Sequence, residues 1–486
     1  MGTKHHTFSD PVAENKRRRR AGFSKIDAGV EPNECIKIYL VSGKEEVDSH
    51  NSFQVEPVDL SRFFEDDGKI YGYLGLKLFR ITIWLSSMSF HAYADISFEG
   101  ISDMGESDEP PTTFSFFPNC RSVGGKGITD LKSSLQNIFA ENLVESKDDF
   151  LQTFSTECHY VNSLVAGAEG LPKDALTDSS GNSIYQLKEE SGTVEIFRVN
   201  SAGVGQLYSR LVPLAFLLVD GSNPIDATDP QWEIYILVQK YQEGSCTRLF
   251  SFAAVYRFNR YPEGTRLRLG QILTIPPYQW KGYGACLLKA LNNIAILDDV
   301  HDLTVEEPLG SLQHMRTCID VQRLLAFDPI YQALDLIVSQ LKHENLSKKS
   351  QPCRCAPPAT IIEDVRKSLK INKIQFLQCW EILIYLSLDP VGKCMENYET
   401  IISNRVRADV VGKESEGSGK RLIDIPTEFD GDMSFSMFKS LEGEWTSSIE
   451  KDESQGNLEE QLMQLVGERM KEIKSVAEKI AVHRRV

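Results

Sequence analysis

The chain has 486 residues, 41% of them hydrophobic, and a net charge of −16; that is enough apolar side chain for two or three domain cores. Such acidity repels phosphates, so it argues against a direct nucleic-acid binder and favours a basic peptide partner, although acidity also serves solubility alone. No apolar run is long enough for a membrane span, no secretory signal is read, and the ten cysteines form no disulfide framework, which points to reduced thiols in the cytosol or nucleus.

Residues 1–33 read as a flexible leader. It carries Lys16-Arg17-Arg18-Arg19-Arg20, which is either a nuclear import signal or an anion-binding arm. Residues 34–193 alternate short apolar runs, among them Ile36 to Val41 and Tyr73 to Trp84, and predict a mixed α/β domain. An acidic loop from Glu99 to Thr113, with Pro110-Pro111, reads as an insertion. Over 194–345 the pattern becomes α/β. Leu207 to Val219 predicts a helix, and Trp232 to Tyr241 and Thr247 to Phe258 a hairpin joined by Gln242 to Cys246. Leu267 to Ile275 predicts a buried strand, Lys281 to Leu297 a helix and Leu303 to Val305 a short strand, together a β–turn–α–β unit. Residues 346–486 predict a helical region. It has a linker at Gln351 to Pro358, helices over Ile361 to Asp389 and a loose stretch at 412–432. Leu458, Leu462, Leu465, Ile473, Val476 and Ile480 then mark one face of a terminal helix that packs on its own domain or pairs as a coiled coil. Cys353-x-Cys355 has one residue between two thiols and no second pair nearby, weak evidence for zinc, so no metal is predicted.

The stretch Gln279-Trp280-Lys281-Gly282-Tyr283-Gly284-Ala285 follows the buried strand and opens the helix. A strand, a glycine turn and a helix N-terminus gather backbone N–H donors and the positive end of a helix dipole, which suits a pyrophosphate. The same short Gly-x-Gly spacing also arises in plain turns. It lacks the third glycine of a dinucleotide fingerprint. Gly417-Ser418-Gly419-Lys420 lacks P-loop spacing, and Arg421 stands where a hydroxyl belongs.

Three acids are candidates for proton transfer. Glu306-Glu307 ends the strand Leu303 to Val305, at the carboxyl edge where parallel sheets bind ligands. On extended backbone only one of the two faces the site; an ordinary acidic turn ahead of Pro308 reads the same way. Asp220 closes an apolar run and is either a buried base or a turn former with Gly221. Asp66 and Asp67, beside Phe64 and Tyr71, are either a grip for a basic peptide or a solvated turn. Tyr256 either contacts substrate or packs.

The pattern Gln-x-x-Gly-x-Gly-Ala resembles the acetyl-CoA loop of the GNAT acetyltransferases. Further pieces are Arg266-Leu267-Arg268, Pro276-Pro277-Tyr278-Gln279, Leu303-Thr304-Val305-Glu306-Glu307-Pro308, Asp226 to Trp232, Phe64 to Leu76 and Lys370-Ile371-Asn372-Lys373. Together they resemble the catalytic subunits of type B histone acetyltransferases, with length and charge like a plant member, over about residues 35 to 390. The resemblance implies an α/β (α+β) fold: a GNAT core, an N-terminal mixed α/β domain contributing to an acidic histone groove, and a C-terminal helical domain. It implies acetyl transfer from acetyl-CoA to lysines of the N-terminal tail of new histone H4, in nucleus and cytoplasm, with a WD-repeat propeller that holds H4 with H3. Carried over by position, Ile272, Leu273 and Thr274 offer backbone groups to pantetheine, and Gln279, Trp280, Lys281, Gly282, Tyr283, Gly284 and Ala285 hold the pyrophosphate. Glu306 becomes the general base with Glu307 and Asp220 as neighbouring acids, and burial is expected to raise its pKa toward working pH. Asp66, Asp67, Gly68, Tyr256, Arg257 and Phe258 fall where the family grips the tail. Three departures are Asp220, where Glu is commoner, Glu307, where Asp is commoner, and Arg257, an odd neighbour for a basic tail unless its side chain faces away. An acceptor other than a histone, such as a protein N-terminus or a small amine, and a non-catalytic histone carrier are the rival classes.

Overall fold

Alternating apolar runs and one long glycine-punctuated α/β stretch resolve into two compact units in a computed structural model. It describes residues 29–49, 52–71, 77–99, 129–177, 181, 183–184, 193–240, 246–262, 264–343, 355–388, 393–415 and 453–483. The Lys16 to Arg20 run, the insertion from 100 to 113, the hairpin turn 241–245, Cys353 and the stretch 416–432 lie outside the described residues.

The first unit takes the chain up to Ser86, Phe90–Thr153 and Val212–Ser222. Its strands are β1 (Ile36–Val41), β2 (Phe53–Val55), β3 (Lys77–Ser86), β4 (Ala92–Glu99) and β5 (Leu143–Val144), in the order β2-β1-β3-β4-β5. Ile36, Ile38 and Leu40 alternate into the core, as a half-buried strand requires. Its helices are α1 (Pro32–Cys35), α2 (Glu65–Gly68), α3 (Leu131–Phe139) and the start of α4 (Lys147–Thr156). Asp130 caps α3 by accepting from Ser133 N at 3.1 Å. The expected leader is too long at its end: Val30 N donates to Ile70 O at 2.8 Å and Ile70 N returns the bond at 2.9 Å, so the chain is ordered by backbone pairing before residue 33.

The second unit takes Ser87–Ser89, Phe154–Leu211 and Asn223–Val486. The two units are therefore not consecutive blocks divided at 193, because the end of α6 (Ser201–Leu218) and its following turn belong to the first unit. The second unit takes the end of α4, then α5 (Tyr160–Ala166), and holds a six-stranded sheet. The strands are β6 (Glu169–Gly170), β7 (Thr193–Arg198), β8 (Trp232–Lys240), β9 (Arg248–Arg260), β10 (Gly264–Thr274) and β11 (Leu303–Val305), in the order β11-β10-β9-β8-β7-β6. The predicted hairpin and the parallel pairing of β10 with β11 are both present. α7 (Tyr283–Leu297) buries Leu287, Leu288, Leu291 and Ile294 against Leu237, Val255, Leu267 and Leu269 of the sheet. It starts at Tyr283 rather than Lys281, because Gly282 sits at φ 93° and turns the chain into the helix.

A second core is mainly helical. It is built from α8 (Gly310–Leu325), α9 (Ile330–His343), α10 (Ala359–Leu369), α11 (Lys373–Ser387), α12 (Lys393–Ser415) and α13 (Glu453–His483). The apolar stripe of α13 packs into this core through Leu462, Ile473, Val476 and Ile480. α8 and α9 are grouped with the preceding sheet by the sequence; α8 does give Ile319 to the sheet core, but it also gives Val321 and Leu324, and α9 gives Ile330 and Leu334, to the helical one.

Candidate active site

β10 has two different environments. Over Leu267 to Leu269 it lies between β9 and β11, in register with Leu303 to Val305. At Gly270 a bulge interrupts its pairing with β9. Beyond it, Gln271 to Thr274 pair with β9 alone, since the β11 ladder closes with Glu306 N donating to Leu269 O at 2.9 Å. The phase of that last segment follows from Ile275 N donating to Phe250 O at 2.9 Å. Antiparallel pairs alternate, so Leu273 turns its backbone toward β9, where its carbonyl also accepts from Ser251 Oγ at 3.0 Å. The amides of Ile272 and Thr274 point to the open edge. Of the three backbone positions expected to meet pantetheine, Leu273 is thus the one committed to the sheet.

The turn after β10 is braced by aromatic packing. Phe250 of β9 meets the Tyr278 ring at 4.1 Å and the Tyr283 ring at 4.6 Å, one on each side of the turn. Gln279 folds back so that its Nε2 donates to Thr274 O at 2.9 Å. Trp280 is fully exposed at φ 63°, and Lys281 holds its ammonium 5.7 Å from the Tyr278 ring. Gly282 is exposed and Gly284 and Ala285 are half-buried, whereas the Tyr283 side chain is buried and offers only its amide. The first bond of α7 runs from Cys286 N to Gly282 O at 2.9 Å, so the amides of Tyr283, Gly284 and Ala285 have no acceptor within the helix. No side chain caps this end and no acid lies in the first turn, which leaves the dipole available to an anion. A Cβ on Gly284 would stand 3.2 Å from Thr274 Oγ1, so helix and strand approach closely here. Helix-start amides without intrahelical acceptors, an exposed lysine and a first turn free of acids suit a pyrophosphate.

Glu306 follows the last paired residue of β11. A methyl group built on Gly270 would stand 2.8 Å from Trp232 Cη2 and 3.7 Å from Glu306 Oε2. The carboxylate therefore lies at the bulge, where the two parallel strands part. Trp232 packs edge-on to Tyr256 at 5.0 Å, and Tyr256 stacks with Phe258 at 6.2 Å. Arg268 lies 5.1 Å from the Phe258 ring. The hydrogen bond Tyr256 shares with Asp229, then partial desolvation, holds its phenol above the usual range. Glu306 is exposed, not buried as expected. Glu307 is also exposed and takes φ 34°, so the pair does not continue an extended strand with opposed side chains.

Arg257 departs from the expected tail grip. It alternates away from Tyr256 and Phe258 and binds Glu233 at 3.0 Å and Asp298 at 2.6 Å. Burial pulls its pKa down, but these two carboxylates outweigh that and hold it above the ordinary arginine value. Glu233, buried, also takes Arg198 at 3.2 Å and the Tyr235 hydroxyl at 2.8 Å. Arg257 is a clamp on the far face of the sheet.

The remaining candidates belong to the first unit. Asp220 is exposed in the turn after α6, beside Gly221 at φ 65°, which is the turn-former reading. Arg62 holds that turn by donating to Phe216 O at 3.0 Å and Ser222 O at 3.1 Å. Asp66, Asp67 and Gly68 form the end of α2. Asp67 is exposed at φ 62° and Gly68 has φ 74°, with Ser61 Cβ 2.7 Å from where a Cβ would be. Trp232, Phe250, Ser251 and Gly270 were not singled out from the sequence. Of these, Gly270 alone carried a signal, since a glycine inside a strand run marks a bulge or a close approach.

Comparison with known proteins gives the family. Residues 28–220 match the family model described as Histone acetyl transferase HAT1 N-terminus. The chain is 49% identical over 484 residues to a Histone acetyltransferase type B catalytic subunit from Arabidopsis thaliana, covering 99% of this chain and 98% of that protein. It is 45% identical over 478 residues to the Zea mays protein of the same description, covering 96% and 93%. Among solved structures, a ribosomal-protein-alanine N-acetyltransferase from Brucella melitensis biovar Abortus 2308 aligns with 24% of this chain and 82% of that one, at 18% identity and a TM-score of 0.20. Identity of this extent over nearly the whole length shows that the chain is an acetyltransferase and belongs to the histone acetyltransferase type B catalytic subunit family.

Proposed function

We propose that the protein transfers acetyl groups from acetyl-CoA to lysine side chains in the N-terminal tail of newly made histone H4, with Glu306 as general base. The observation that carries this reading is the Glu306 carboxylate at the Gly270 bulge, beside the open edge of β10 and one strand away from the uncapped start of α7. Acetyl-CoA supplies the acetyl group as a thioester. The amides of Tyr283, Gly284 and Ala285, with Lys281, are suited to its pyrophosphate, and those of Ile272 and Thr274 to its pantetheine arm.

A lysine ammonium titrates near ~10.4 and cannot attack until it loses a proton. Glu306 takes that proton, directly or through one water, and the freed amine attacks the thioester carbonyl; the C–S bond then breaks, coenzyme A leaves as a thiolate that takes up the nitrogen's remaining surplus proton, and Glu306 returns its own proton to solvent. Trp232 and Tyr256 lie beside the path of the amine. Asp66, Asp67 and Gly68 are the first-unit residues this reading assigns to the basic tail. The acidity of the chain, net −16, supports a basic acceptor. The family resemblance supports a WD-repeat propeller holding H4 with H3 as partner, and work in both nucleus and cytoplasm. Incubation with acetyl-CoA and each core histone, followed by mass mapping, tests the reading. Acetyl on H4 tail lysines is expected; acetyl only on protein N-termini or small amines, or none, would overturn it.

A further inference from the structure

The mechanism uses none of the cysteines, yet two of them converge with a histidine. In the second unit, Cys158 and His159 occupy the turn between α4 and α5, and Cys246 leads into β9. Their ligand atoms all lie within 4.8 Å of one another. The two cysteines stand 88 positions apart in sequence (246 minus 158), so the fold assembles the cluster. The Cys158 and Cys246 thiols share a hydrogen bond, and Cys158 Sγ donates to Ser155 O at 3.4 Å. His159 precedes α5 with φ −99° and ψ 11°. That compact backbone lets neighbouring side chains reach one point, where an extended one would send them to opposite sides. The strand side is fixed independently, because Thr247 N donates to Asn162 Oδ1 of α5 at 2.7 Å. The nearby Glu157 carboxylate is engaged by Arg210 at 3.2 Å, which leaves two sulfurs and one imidazole nitrogen as the donor set.

We propose that Cys158, His159 and Cys246 form a binding site for a thiophilic divalent cation, zinc by ligand chemistry. Two thiolates and an imidazole favour zinc over the oxygen-seeking calcium and magnesium. His159 is exposed and both cysteines are half-buried, so the fourth tetrahedral position faces solvent and takes water. Binding expels the two thiol protons to solvent, and the loaded site ties the α4–α5 turn to the start of β9.

The test uses the full chain, expressed with added zinc and purified with a non-thiol reductant, and reads metal by mass spectrometry. About one zinc per chain is expected, falling below about 0.1 in a Cys158→Ser/Cys246→Ser double variant and unchanged in Cys355→Ser. His159→Asn, at an exposed position that does not threaten folding, should weaken zinc binding at least about tenfold. Cobalt loaded in place of zinc should give the thiolate charge-transfer and intense visible bands of a tetrahedral site, lost in the double variant. Acetyl transfer is expected to survive these substitutions, so failure of the metal site and failure of the acetyltransferase reading are separable. Metal-free protein in excess zinc, zinc retained by the double variant, or a Cys158–Cys246 disulfide that forms in place of metal binding would each overturn the proposal.

Discussion

The two halves of β10 share one strand and one partner on their β9 side, yet they do different work. From Leu267 to Leu269 both edges are paired, Leu267 and Leu269 are buried under α7, and the neighbouring Arg266 is locked to Asp302 by two bonds of 2.5 and 2.8 Å. From Gln271 to Thr274 one edge is open, and the polar groups there serve each other: Ser251 meets Thr274 Oγ1 at 3.1 Å and Gln279 meets Thr274 O. An unpaired strand edge is ordinarily a hazard that proteins cover. Here it ends beside an uncapped helix start, a methyl built on Gly284 standing 3.2 Å from Thr274 Oγ1.

Substitutions on each side of the bulge sharpen this contrast. The largest effect is expected at its pivot: Glu306→Gln should lower kcat for a histone H4 peptide by about 10²–10⁴-fold while leaving acetyl-CoA affinity nearly unchanged. Unchanged turnover at saturating substrate would remove Glu306 as the base. In the fully paired half, Asp302→Ala strands a buried guanidinium and should cost about 3–5 kcal/mol in urea unfolding. A loss under 1 kcal/mol, on the order of a surface pair, would mean that this half is not the rigid support described. At the helix start, Gly282→Val forces a branched residue to φ 93°, a strain of about 1–3 kcal/mol. Calorimetry should show acetyl-CoA binding weakened by about tenfold for each 1.4 kcal/mol of that strain not relieved elsewhere. Thr274→Val, on the open half, removes one hydroxyl bond and should cost only about 1 kcal/mol of stability.

Much of this frame was legible in the residues themselves. The strand Leu267 to Ile275, the glycine turn and the α7 stripe carry strong periodicity, and they fall within three residues of where they were predicted. The placement of Glu306 was also legible, because a strand's carboxyl end has a fixed relation to the sheet. The fate of Leu273 and the partners of Arg257 were not, although a basic side chain already sat oddly in a grip for a basic tail. Strand phase is set by the bulge at Gly270, and a one-residue slip exchanges edge-facing and sheet-facing groups. The partners of Arg257, Glu233 and Asp298, lie 24 and 41 residues away, and only folding brings them to one face. The division of the chain was illegible for a similar reason: α6 is one continuous helix, yet its two ends serve different units.

The division of β10 into a paired half and an open half can be read directly by hydrogen–deuterium exchange with and without acetyl-CoA. Added coenzyme should slow exchange across Gln271 to Ala285, most at Ile272, Thr274, Tyr283, Gly284 and Ala285, and leave Gly264 to Leu269 as it was. Equal protection of both halves, or protection that spares the start of α7, would contradict the account.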